Sequence, residues 1–406
     1  MNQEESPGRT GTPRARPKVL LGVTAAQSLG LLADVSRRLA ESGAEVHVVS
    51  SPSAGGTAFL HPRVVHHAVE MQREPSPLKD LKSLLEMRRL MRSLRPDVVV
   101  MGTPKASLLG LTSAWLERVP RRVYQLRGLR LETERGWRRS LLKALERVTF
   151  LASTDAVAVS ESLRKEVRAQ KLTCGRGVEV LGAGSSKGVD ADRFKPWDKD
   201  EDGRQTKLGW GLRPEVPVVG FVGRLTADKG VGDLLQASEI LRRRGVAHRL
   251  LLVGSVEDKT IASDVQRAVK SGTAVWGGSS SEIESVYHAM DVFCLPTLRE
   301  GFPSVVLEAS ASALPVVTTT ATGAVDSVVD GETGLLVPPS SPDRLAEALG
   351  ALLADEKMRG RMGEAGRARV LEHFQKEDVE QRFVDYVLGA GERARPRAEN
   401  REQGEQ

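Results

Sequence analysis

The 406-residue chain contains only two cysteines, Cys174 and Cys294, far apart and outside any CxxC pair. That excludes a disulfide framework or a cysteine zinc site and fits a reducing compartment. Aromatic residues are scarce, at 4%. No recognised nucleic-acid motif accompanies the net charge of +6, which argues against a nucleic-acid-binding module. Long apolar runs are missing as well. The stretch from Asp97 to Leu111 is broken by Pro104 and Lys105, well short of the ~20 residues needed to cross a bilayer. The opening MNQEESPGRTGTPRARP has no apolar core after its charges. It is therefore expected to be a disordered tail over 1–17 and not a secretory signal, with a second tail over 391–406. A cytoplasmic location is expected, with the inner face of the plasma membrane as its place of work.

What is present points to an α/β protein. A chain of this length exceeds the roughly 250 to 300 residues at which a single core stops growing, so two domains are expected. The excess of lysine and arginine lies in the first half, which should favour an anionic partner. From Lys18 onward, apolar runs of strand length alternate with segments of helical spacing, as in stacked βα units with a parallel sheet. KVLLGVT, AEVHVVSS, RVVHHAVE, PDVVVMGT, RRVYQLRG and DAVAVS form one such series. Residues 18–195 are assigned to this domain, and the polar, Gly- and Pro-rich 196–215 to a linker. A second series, VPVVGFVG, HRLLLVGS, TAVWGG, DVFCLPT and PVVTTT, opens a domain over 216–375. A last helix is expected within 376–390. Open α/β sheets bind ligands at the C-terminal ends of their strands, so the site is expected in a cleft between the domains.

Two motifs carry chemistry. GRLTADKG (Gly223 to Gly230) follows a strand and opens a helix. Arg224 and Lys229 beside a helix N-terminus make a diphosphate site; the bland alternative is a glycine turn with solvated charges. LPTLREGFPSVVLEASASALPVV (Leu295 to Val317) places Glu300 at a strand end and Glu308 in the following helix. The amides of Gly301, Phe302, Pro303 and Ser304 (three N–H groups, since proline has none) are candidates for sugar hydroxyls or phosphate, and Glu308 for a ribose diol. A helix-dipole role would explain Glu308 alone but not the whole run.

At these residues the sequence resembles the family 4 retaining glycosyltransferases of the GT-B fold, whose signature pairs G-R-x(4)-K-G with E-G-F-x-x-x-x-x-E. The resemblance implies two Rossmann-like doubly wound domains facing across a cleft. It assigns Arg224 and Lys229 to the donor diphosphate, Gly223 and Glu300 with the following amides to the phosphates and donor sugar, and Glu308 to the ribose. VWGG (Val275 to Gly278) would lie near the base, with Val275 against it. It also implies that the last helix crosses back to the first domain. The first half resembles a narrower group, capsular and exopolysaccharide transferases acting on polyprenyl-diphosphate-linked saccharides, through EVHVVSSP, MQREPSPLKDLKSLL, TPKASLLG, RRVYQLRGLRLE and LGAGSSKGVDADRF. Arg127 stands where many members carry histidine, and Lys187 where asparagine is common. Arginine is no base at neutral pH, but it suits the stabilisation of phosphate charge. The implied donor is a nucleotide-sugar, UDP-linked with a hexose or N-acetyl(deoxy)hexosamine, and the implied acceptor a lipid-diphosphate-linked saccharide. Since the leaving diphosphate itself accepts the acceptor proton in this family, no metal is expected.

Other signals weigh less. Asp190-Ala191-Asp192 and Asp198-Lys199-Asp200 have a D-x-D form but fall at or beside the linker, where a turn and a solvated acid cluster explain them. His66 and His67, adjacent on a strand, face opposite sides and do not make a metal site. Between Arg135 and Phe150, Trp137, Leu141, Leu145 and Val148 share one helix face while Arg139, Lys143 and Arg147 share another. Such a helix either rests on anionic lipid or packs its apolar stripe inward. Competing functions are a sugar-nucleotide epimerase of the same architecture and a basic nucleic-acid-binding protein.

Overall fold

The computed structural model describes residues 16–52, 57–72, 76–197, 202–280 and 282–389. But for Arg16 and Pro17, the tails expected at 1–17 and 391–406 lie outside those residues.

Short runs rich in valine and leucine form the strands, those inside each sheet buried on both faces, the pattern of parallel sheets covered by helices. In the first half these are β1 (Lys18–Gly22), β2 (Glu45–Ser50), β3 (Val64–Ala68), β4 (Val98–Met101), β5 (Arg121–Leu126), β6 (Asp155–Ala158) and β7 (Glu179–Val180). Between them run α1 (Ala33–Glu41), α2 (Pro77–Leu94), α3 (Pro104–Leu116), α4 (Gly136–Ala152) and α5 (Glu161–Ala169). Pro77 and Pro104 each sit in a first helical turn, where the missing N–H costs nothing. Ser160 caps α5 by accepting from the Leu163 amide at 3.4 Å. The strand order is β3-β2-β1-β4-β5-β6-β7, all parallel.

The second half holds β8 (Val218–Val222), β9 (Arg249–Val253), β10 (Ala274–Trp276), β11 (Val292–Leu295), β12 (Val316–Thr319) and β13 (Gly334–Val337), in the order β10-β9-β8-β11-β12-β13. The preceding segment is α6 (Asp202–Gly209), followed through the domain by α7 (Val231–Arg243), α8 (Lys259–Lys270), α9 (Ile283–His288), α10 (Ser304–Ala311), α11 (Pro342–Ala354) and α12 (Glu356–His373). The sheets reverse direction of build between β1 and β4, and between β8 and β11. Both crevices lie at the strands' C-terminal edge, where such sheets take ligands.

One finding differs from the linker expected over 196–215. Within 196–215, α6 is helical and docked: Lys207 Nζ lies 2.8 Å from Asp291 Oδ2, and Leu212 is buried. Its composition hides this, because a lysine supplies the anchor. At the other end, α13 (Lys376–Leu388) packs on the first domain. Phe383, Val384 and Val387 join the core of β1 and α1. Arg38 Nε donates to Glu380 Oε2 at 2.6 Å, and Arg121 Nη1 donates to the Tyr386 carbonyl at 2.7 Å.

One buried acid gives the first domain a pH signature. Tyr124 donates to Glu146 Oε2 at 2.8 Å in the core under α4, and burial pushes the Glu146 carboxyl up to about 7. The folded state holds this proton more tightly than the unfolded chain. Its contribution is therefore full below about pH 4.5 and is lost as pH rises through about 7. Glu146→Gln should flatten that decline, on the order of 3 kcal/mol across the window. Denaturant unfolding of both proteins at pH 5 and pH 8 checks it; parallel declines would refute the assignment.

Candidate active site

The β8–α7 turn is built around two glycines. Gly223 has φ +146° and donates to the Val253 carbonyl at 2.9 Å. Gly230, at φ +71°, opens α7, and a Cβ there would stand 1.9 Å from the Pro296 carbonyl oxygen. Only glycine meets both demands. The turn is thereby pressed against the loop after β11, and Asp228 reinforces the contact by accepting from Arg299 Nη2 at 3.3 Å. Its carbonyl accepts from the Leu298 amide at 2.9 Å.

This packing brings the two motifs together. Lys229 Nζ bonds Glu300 Oε1, and both side chains are largely buried. Arg224 is exposed at the rim, its Nη1 2.9 Å from Glu257 Oε2. Gly301 follows, then the buried Phe302 and Pro303, and α10 starts at Ser304. Glu308 lies in the second turn of α10, where the Tyr287 hydroxyl donates to its Oε2 at 2.8 Å. Burial pushes the Tyr287 hydroxyl well above the usual phenol range, so it stays a donor and fixes the carboxylate. Val275 is half-buried in β10 beside Trp276, whose indole N–H donates to the Gly254 carbonyl at 3.0 Å.

The first domain meets this loop closely. A Cβ on Gly301 would stand 2.0 Å from the Arg127 carbonyl oxygen, and one on Gly323 would stand 2.4 Å from the Gly301 carbonyl. Ser162 at the start of α5 donates its amide to Asp326 Oδ1 at 3.1 Å, and its Oγ accepts from the Gly323 amide at 2.7 Å. The Arg127 side chain turns away from the loop toward β4, donating from Nε and Nη2 to Gln125 Oε1 at 3.1 and 2.9 Å. Burial pushes its guanidinium down to about 10. It lines a cavity of about 260 Å³ with Thr103, Gln125, Arg130 and Arg299.

The sequence reading singled out Arg224, Lys229, Glu300 and Glu308 but missed Tyr287 and Arg299. Arg299 directly precedes Glu300, yet an arginine before a motif carries no signal. Asp190 serves its own turn, accepting from the amides of Asp192 and Arg193 at 3.1 and 2.9 Å. Asp198 to Asp200 lie outside the described residues. His66 and His67 contact Ser50 and His47, each at 3.0 Å. Among the described residues, no group of three or more His, Cys, Asp or Glu side chains gathers as a metal ion would need.

Two parallel-sheet domains meeting at a cationic, glycine-built turn define a glycosyltransferase of the GT-B class. Residues 205–369 match the family model of glycosyl transferases group 1, and residues 32–181 match the glycosyl transferase 4-like domain. Over 364 residues the chain is 35% identical to the capsular polysaccharide biosynthesis glycosyltransferase CapM of Staphylococcus aureus, covering 89% of this chain and 94% of that protein. The chain belongs to the family 4 glycosyltransferases. It is also 25% identical over 291 residues to the N,N'-diacetylbacillosaminyl-diphospho-undecaprenol alpha-1,3-N-acetylgalactosaminyltransferase of Campylobacter jejuni, spanning 70% of this chain and 75% of that one. The fold is shared with Anabaena HepE in complex with UDP and glucose, at a TM-score of 0.74 and 18% identity over 92% of this chain and all of that one.

Proposed function

We propose that this glycosyltransferase moves a hexose or N-acetyl(deoxy)hexosamine from a UDP-sugar, with retention of configuration and without a metal ion, to a lipid-diphosphate-linked saccharide in capsule or exopolysaccharide synthesis. The observation that carries it is the meeting of GRLTADKG with the Glu300–Ser304 loop at the β8/β11 crevice. Arg224 and Lys229 supply fixed positive charge where a departing diphosphate develops negative charge. Gly223 lets the phosphates approach the backbone. Glu300 with the amides of Gly301, Phe302 and Ser304 orients the donor sugar, Pro303 shaping the turn, and Glu308, held by Tyr287, accepts from the ribose diol. The base stacks toward Val275. The leaving phosphate oxygen takes the acceptor's proton on the face it has just left, so no protein base is required and Arg127 serves as a charge, not as a base. The Staphylococcus and Campylobacter relatives, a capsular polysaccharide glycosyltransferase and a transferase acting on a diphospho-undecaprenol-linked sugar, support the pathway and the acceptor.

The test is a melting-temperature screen without metal against UDP, GDP, ADP and their sugar conjugates, since a ligand that binds only the folded state raises the transition. A shift with UDP and its conjugates, lost in Glu308→Ala, is expected. A shift with none of them would overturn the reading. Turnover of donor with no acceptor present would instead indicate an epimerase.

Membrane contact forms part of this proposal. The apolar stripe of α4 faces outward: Trp137 is 71% exposed, and Leu141, Val148 and Leu151 are exposed beside it. In the same domain, α2 presents Leu78, Leu81 and Leu85. Lys79, Lys82, Arg135, Arg138 and Arg147 lie among them in sequence. Apolar anchors amid basic residues suit an anionic bilayer surface. Among the described residues no helix is long and apolar enough to cross a membrane, so the contact is peripheral. Co-sedimentation should favour anionic over neutral vesicles, and the paired substitution Trp137→Ala and Leu78→Ala should weaken binding roughly tenfold or more. Equal binding to both vesicle types would count against it.

A further inference from the structure

Resting on the acceptor reading above, we propose that the cavity walled by Thr103, Gln125, Arg127, Arg130 and Arg299 seats a phosphate group joined directly to the sugar that receives the new residue. The cavity, of about 260 Å³, lies at the C-terminal ends of β4 and β5 and is closed from the second domain by Arg299. Three guanidinium groups line it. Arg127 is paired by the neutral amide of Gln125, at 2.9 Å from Nη2, and the effect of burial on its guanidinium agrees with an uncompensated charge. Arg299 donates one nitrogen to Asp228, while its Nε is buried and meets no hydrogen-bond partner among the described residues. Burying a cation such as Arg127 with only a neutral partner is costly, and a site built that way is organised for an anion. The 13-residue α3 begins at Pro104 on the cavity wall, adding the positive end of its dipole.

Size and place decide which anion. The volume falls below the ~300 Å³ at which whole small-molecule pockets begin, so it has room for a phosphate or diphosphate group, and its arginines select for one. The wall residue Gly128 stands against the donor loop, a Cβ there lying 3.7 Å from the Gly301 amide. An anion held here is therefore about one sugar away from the transfer point, which places it on the receiving sugar. Arginine's planar fork binds phosphate oxygens bidentately. The reaction that supplies such an acceptor is the class that joins a sugar 1-phosphate to a lipid phosphate, and this protein then adds the second sugar.

The probe is inorganic pyrophosphate, titrated calorimetrically into the full chain with and without saturating UDP. Binding that persists with UDP present, survives Lys229→Ala, and weakens about tenfold or more in Arg127→Gln and in Arg130→Gln is expected. Two arginine variants are used because one of them failing to fold leaves the other. Binding abolished by UDP or by Lys229→Ala would place pyrophosphate in the donor site and overturn the proposal. So would tighter binding of glucuronate than of pyrophosphate, which would make the cavity a carboxylate subsite. UDP binding without UDP-independent pyrophosphate binding sinks this inference alone. Absence of UDP binding sinks the donor reading, and the Arg127→Gln comparison still decides this one.

Discussion

Lys229→Ala lowers kcat by roughly 10²- to 10³-fold, the usual loss when one fixed donor to a developing oxyanion is removed. The ammonium bonds Glu300 across the β8 and β11 loops, so its removal also leaves a largely buried carboxylate without its partner. That second effect acts on stability, on the order of 1 to 3 kcal/mol, and it complicates any single-mutant reading. The double variant Lys229→Ala/Glu300→Gln separates the two. With the carboxylate neutralised, the melting temperature should return toward the parent value, which isolates the stability effect, while kcat stays low because the charge facing the diphosphate is still missing and the group that orients the donor sugar is altered. Steady-state kinetics beside thermal unfolding measure both quantities. If kcat of Lys229→Ala stays within threefold of the parent, the diphosphate assignment is wrong.

Gly301→Ala should abolish most activity while leaving much of the stability intact. The added methyl would stand 2.0 Å from the Arg127 carbonyl oxygen, a distance no packing tolerates. Gly301 is not at positive φ, so the obstacle is the neighbouring domain and not the local backbone. Relief is available by moving the domains apart, which leaves each sheet and its core as they were. Domain separation displaces Arg127 and its cavity from the donor loop, and misplacement by about 1 Å costs on the order of 10²-fold in rate. UDP affinity, which depends on second-domain residues, should change little. A large drop in UDP affinity, or activity close to the parent, would show that the loop yields instead.

How much of this was legible beforehand follows from what local sequence can encode. Strands such as VVGFV and VVVM read directly, because strands buried on both faces need unbroken apolar runs. The turn at Gly223 and the loop at Glu300 were legible because glycine and charge at a strand end are rare unless backbone approach is needed. Tyr287 was not legible. It sits 21 residues before Glu308 and reaches it only because α9 packs beside β11, a contact no periodicity announces. The apolar stripe of α4 was found, but its direction was not. Glu146, Thr149 and Phe150 on the opposite face are the buried ones, and a carboxylate at a core position reads as solvent-facing until its tyrosine partner is seen. The helix in 202–209 was hidden for a similar reason, since its anchor is the charged Lys207.

The crossing of α13 has a consequence for synthesis. All seven strands of the first sheet are present by Val180, yet the apolar side of α1 is covered by Phe383, Val384 and Val387. At about 5 to 20 residues per second, some 200 residues of translation, or roughly 10 to 40 seconds, separate the emergence of that surface from the emergence of its cover. During that interval the nascent first domain carries an open greasy seam while its partner domain is still being made. Holding chaperones on the ribosome would find their binding site there, and a stall late in the message would strand it.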